Sequence, residues 1–105
     1  MADDAPVTAY VTAPRDAATD LANRLVDERL AACVNVVPCT STYRWDDAIR
    51  EDEESVLLAK TTAERYPELA ARLVDWHPHD VPCIERFDTD DVHDPFAAWC
   101  ADAVE

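Results

Sequence analysis

The segment His77-Pro78-His79-Asp80-Val81-Pro82-Cys83 concentrates donor atoms of the kind that borderline and soft metal ions prefer. Imidazole and thiolate are good ligands for copper and zinc. Pro78 biases His77 toward an extended backbone, and residues two apart in such a segment point the same way. Both imidazoles can therefore face one cleft, with Cys83 further along the same stretch as a third donor. Plainer roles compete with this reading. His77 can sit at a helix end, where an imidazolium complements the dipole. Cys83 can pack as a small hydrophobe.

The remaining reactive side chains are scattered. Cys33, Cys39 and Cys100 show neither C-x-x-C spacing nor the pattern of a structural zinc site, and reduced thiols are the expectation for a cytosolic chain. Cys33 closes the triplet Ala31-Ala32-Cys33, where it is either a weak ligand or redox thiol or a small residue at a crowded junction. Lys60 is the only lysine. It can pair with an acid or hold a small anionic ligand. The acids Glu85, Asp88, Asp90, Asp91 and Asp94 read as a solvated face, without the glycine of a calcium loop. Ser41 and Ser55 lack a triad context, and His93 has no partner implied by the sequence. The expectation is a protein that is not an enzyme.

Glycine is absent altogether. Phosphate-binding loops, dinucleotide fingerprints and nucleophile elbows all depend on it, so none is present in its usual form. Twenty-three acidic against nine basic residues give a net charge of −14. That balance argues against nucleic acid and anionic membranes as partners. It exceeds the magnitude of roughly 2–8 that solubility alone asks of a small domain. A salt-loaded cytoplasm, as in halophiles, fits better, because molar salt shortens the Debye length to about 3 Å. Nothing before Ala5 reads as a signal peptide and no apolar run is long enough to span a bilayer, so the expected compartment is the cytoplasm.

The elements that must position these residues follow from periodicity. Pro6 to Ala13 reads as a strand, closed by Pro14. Asp16 is a candidate N-cap for a helix carrying Leu21, Leu25 and Leu30 on one stripe. Ala32 to Val37 is apolar and β-branched, and Thr40 to Trp45 extends it past Pro38 toward a turn at Asp46-Asp47. Ile49 to Thr61 returns as its hairpin partner. Thr62 is the candidate cap of a second helix bearing Tyr66, Leu69, Leu73 and Val74, stopped by His77-Pro78. Val81 to Phe87 makes a fourth strand, and Asp94-Pro95 opens a last helix with Phe96, Trp99 and Cys100. The order is that of an α+β, ferredoxin-like βαββαβ sandwich with a long second hairpin and a C-terminal helix, one domain over residues 1–105.

Several of these stretches resemble the CutA family, the divalent-cation tolerance proteins. They are Tyr10 to Pro14, the run RLVDERLAACVNVVPCTSTYRW from Arg24 to Trp45, Lys60-Thr61-Thr62, His77-Pro78-x-x-Val81-Pro82 and Trp99. The resemblance implies the same fold, a tight homotrimer whose hairpin arms pair with neighbouring subunits, and a role in tolerance of divalent metal ions, copper above all. It implies an intersubunit cleft in which Tyr43, Trp45 and Lys60 are candidate lining residues. It also brings departures. The copper-ligating cysteine of some members falls at Val11 or Thr12, and a second histidine before His-Pro falls at Trp76. Of that ligand set His77 alone is present, and His79 and Cys83 are the candidates for a softer site of different geometry. A second reading, from the PII-like architecture of the same trimeric habit, is a structural or signalling scaffold that senses a small molecule or partner protein without metal.

Overall fold

In the computed structural model, which describes residues 4–105, seven elements follow one another: β1 (Pro6–Pro14), α1 (Arg15–Asp27), β2 (Cys33–Trp45), β3 (Ala48–Thr62), α2 (Tyr66–Trp76), β4 (Ile84–Asp88) and α3 (Asp94–Ala103). The strands form one antiparallel sheet in the order β2-β3-β1-β4. This is the ferredoxin-like βαββαβ arrangement with a terminal helix.

Period-2 alternation gives the sheet two chemically different faces. Val7, Ala9, Val11 and Ala13 of β1 are buried, together with their cross-strand partners Leu57 and Ala59. Leu21 and Leu25 of α1, Leu69 and Leu73 of α2, and Leu30 of the α1–β2 turn close over them as one core. Burying each such leucine contributes about 1.5–3 kcal/mol. The alternate residues, among them Tyr10, Thr12, Val56, Leu58 and Lys60, stand on the opposite, open face. There Tyr10 stacks on Phe87 at 5.5 Å.

The β2–β3 hairpin outruns the sheet. β1 pairs with β3 only as far as Glu54, whereas β2 pairs with it out to Trp45 opposite Ala48. Residues 40–53 thus form a two-stranded ribbon, and the chain measures 45 × 26 × 21 Å. Asp46 and Asp47 make its turn, both at positive φ, 50° and 61°. Two consecutive left-handed residues are the geometry of a type I′ hairpin, which matches the strand twist. A third left-handed residue, Arg29 at φ 59°, ends α1. There the Leu30 amide donates to the Leu25 carbonyl.

Three helix starts differ from the caps named above. Pro14, not Asp16, occupies the cap position of α1, and no side chain bonds there. Thr62 does accept a hydrogen bond from the Arg65 amide at 3.3 Å, but this closes a turn ahead of α2, which begins at Tyr66. His93 rather than Asp94 precedes α3. The fourth strand is also shorter than Val81 to Phe87, because Val81 to Cys83 run as a loop before Ile84. No helix among the described residues is long and apolar enough to cross a membrane.

Candidate functional site

The base of the ribbon and the α2–β4 loop together form the larger of two cavities described, about 530 Å³ in volume. Its walls come from three places. β1 supplies Thr12, the ribbon supplies Ser41, Tyr43, Trp45, Arg50 and Glu54, and the loop supplies Pro78, His79, Asp80, Val81 and Cys83. The register explains the ribbon's contribution. Ser41 faces Asp52, Tyr43 faces Arg50 and Cys39 faces Glu54 across the hairpin, so all project from the open face. Glu54 is only 5 % exposed, a carboxylate at the cavity floor. The Tyr43 hydroxyl donates to Asp52, and this bond, with the nearby charges of Asp52 and Glu54, raises the tyrosine pKa above its ordinary value.

His77 and His79 have different fates. The His77 ring is buried, and its Nε2–H donates to the Thr12 carbonyl at 2.8 Å. Its Nδ1 accepts the His79 amide at 3.0 Å. Both ring nitrogens of this candidate ligand are therefore engaged inside the fold. His77 ties the loop to β1. The His79 ring packs against it with centroids 5.0 Å apart and makes no hydrogen bond of its own among the described residues. It lines the cavity with Cys83. Burial, with the Glu85 carboxylate beside it, raises the Cys83 thiol pKa.

The other candidates separate. Tyr43 and Trp45 line this cavity, but Lys60 does not. Lys60 stands opposite Cys33, at the far end of the hairpin from Tyr43 and its partner Arg50. Cys33 is likewise remote from the loop, so the two form a separate corner under α3. Within one chain, and among the described residues, no three His, Cys, Asp or Glu side chains converge to hold a metal ion. The donor set His77, His79 and Cys83 is thus not assembled by a single subunit.

Glu54 and Arg50 were not singled out in the sequence. The signal for Glu54 was present: in the strand from Ile49 to Thr61 it shares parity with Val56 and Leu58. The acidic run around it hid that parity.

This cavity sits where the sheet, the ribbon and the His-Pro loop meet, and comparison places the whole arrangement. The model of the CutA1 divalent ion tolerance protein family matches residues 7–103. The chain belongs to this family. A divalent-cation tolerance protein CutA from Thermus thermophilus is 49 % identical over 74 residues, 69 % of this chain and 72 % of that one. The CutA of Pyrococcus horikoshii is 36 % identical over 94 residues, covering 89 % and 92 %. A solved structure described as the periplasmic divalent cation tolerance protein CutA from Archaeoglobus fulgidus superimposes with a TM-score of 0.92 at 31 % identity, over 95 % of this chain and 99 % of that one. Membership in the CutA1 family ties the chain to divalent-cation tolerance in general. Of the positions named above as departures from the family pattern, Thr12, His79 and Cys83 line this cavity, whereas Val11 lies in the core and Trp76 packs against it.

Proposed function

We propose that this protein serves divalent-cation tolerance by binding a divalent metal ion, copper foremost, in the open-face cavity of a cytoplasmic homotrimer, without catalysing a reaction. The observation that carries the reading is the pairing of an unbonded imidazole, His79, with the Cys83 thiol on one cavity wall, opposite the buried carboxylate of Glu54. These are nitrogen, sulfur and oxygen donors suited to a borderline cation. A neighbouring copy of the chain completes the set. The ribbon extends beyond the sheet and carries exposed Trp45 and Ile49 on its two faces, and Val37 and Phe87 are exposed at separate places on the open face, apolar surface of the kind that assembly covers. His77 holds the loop in register and takes no coordination position.

Calorimetric titration of the reduced protein with Zn²⁺ and Cu²⁺ in molar KCl tests this, with light scattering to give the assembled mass. Saturable binding that is lost in the double variant His79→Ala/Cys83→Ser and kept in His77→Gln supports the assignment. Trimers that bind no metal favour a scaffold that takes a small molecule among Tyr43, Trp45 and Arg50. A monomer at all concentrations contradicts the assembly.

A further inference from the structure

At the end of the open face away from the ribbon, two thiols and the single lysine share one corner. Cys33 of β2 and Lys60 of β3 are directly opposed, so both side chains rise from the open face. α3 lies across that end of the sheet. Its Cys100, 1 % exposed, packs with Ala32 and Val104 in a small apolar cluster of its own. Cys100 and Lys60 also line a cavity of about 210 Å³ together with Phe96 and Asp91. The lysine charge acts on both thiols, and a charge on Cys33 acts on Cys100. Burial keeps both sulfurs protonated beyond the ordinary thiol range. Neither is in a disulfide. Lys60 makes no ion pair among the described residues, although the chain holds 23 acids.

We propose that Cys33 and Cys100 together form a two-thiolate site for a soft monovalent d¹⁰ cation of the copper(I) and silver(I) class, with Lys60 as its counter-charge. The chemistry balances without an oxidant. Two thiols each release a proton, two sulfur–metal bonds form, and the resulting complex carries one negative charge. Lys60, which shares the cavity with Cys100, offsets that charge. A third His, Cys, Asp or Glu donor is lacking among the described residues. That shortage disfavours zinc, which takes four ligands, and suits an ion content with two soft sulfurs. Ala32 and Val104 pack on Cys100, and Phe96 lines the adjoining cavity. This corner shares no lining residue with the open-face cavity, so the two sites can be tested apart.

Silver(I) is the probe, added to the full-length reduced protein under inert gas in a nitrate buffer. The background is Cys39→Ser/Cys83→Ser, which leaves Cys33 and Cys100 as the only thiols. Sulfur-to-metal charge-transfer absorption reports the bond, and the change in heat between buffers of different ionisation enthalpy reports the protons. The result expected is one ion per subunit with about two protons released. Cys33→Ser and Cys100→Ala each weaken it by about 100-fold or more, and Lys60→Met weakens it by about tenfold with the same absorption. Thermal melting of each variant separates loss of a ligand from loss of the fold, and Cys33→Ala replaces any variant that does not melt cooperatively. Two silver ions per subunit, each releasing one proton, would show independent thiols and overturn the proposal. So would silver binding that is unchanged in a folded variant lacking either cysteine.

Discussion

Two histidines separated by one proline do different work, and what divides them is a carbonyl far away in the chain. His77 donates to the backbone of Thr12, 65 residues earlier, and accepts from its neighbour's amide, while the His79 ring is left to the cavity. Removing the buried ring leaves the Thr12 carbonyl without its donor. His77→Ala should therefore lower stability by roughly 1–3 kcal/mol, read as a shifted midpoint in chemical denaturation. His79→Ala should change it by less than about 0.5 kcal/mol. The donor types in this loop were legible from the sequence, but their division of labour was not, because local spacing carries no information about residue 12. The thiols add a pH dependence. Cys33, Cys83 and Cys100 all have folded pKa values raised above the ordinary 9.0, chiefly by burial. A group raised in this sense stabilises the fold fully below its unfolded pKa and stops doing so as pH climbs through its folded value. The melting temperature should fall as alkali is added beyond pH 9.0, and fall less steeply in Cys100→Ala.

At the scale of elements, the order of strands and helices could be read directly, since each apolar stripe or alternation maps onto one of them. The shifted boundaries have a common cause. Asp16 and Asp94 each lie inside the first turn of their helices rather than ahead of it, and the positions ahead of α1 and α3 are held by backbone geometry without side-chain bonds. Thr62 spends its hydroxyl on the turn that leads into α2. The ribbon turn shows what the lack of glycine costs. Asp46 and Asp47 both occupy the left-handed region, at about 1–2 kcal/mol for each residue with a Cβ. Asp47→Gly should recover roughly 1 kcal/mol in equilibrium unfolding while leaving the register of Tyr43 and Arg50 unchanged. Parity along β3 was the legible feature that went unused: it places Glu54 and Arg50 on the same face as Val56 and Leu58, and so on the side where the cavity lies.

For the whole molecule, charge and surface set the conditions under which the site exists. A net charge of −14 on 105 residues repels itself at low ionic strength. Raising KCl to molar levels shortens the Debye length to about 3 Å and should raise the melting temperature and the assembled fraction together. Stability that is flat in salt would remove the argument for a salt-adapted chain. In the proposed assembly, the exposed Trp45 and Ile49 on an arm that leaves its own sheet are what a neighbouring copy covers, and that copy supplies the further donor to the open-face cavity. The sequence carried the arm and its aromatics, but the faces that a second copy covers are a property of two chains and cannot be read from one. The measurement that bears most directly on the account is anomalous scattering from crystals of the reduced protein grown with Zn²⁺, collected at the zinc edge. A peak in the open-face cavity, bonded to His79 and Cys83 with a further donor from a neighbouring copy, is the predicted result. A peak bonded to His77 in their place, or trimers whose cavities hold no metal, would contradict it.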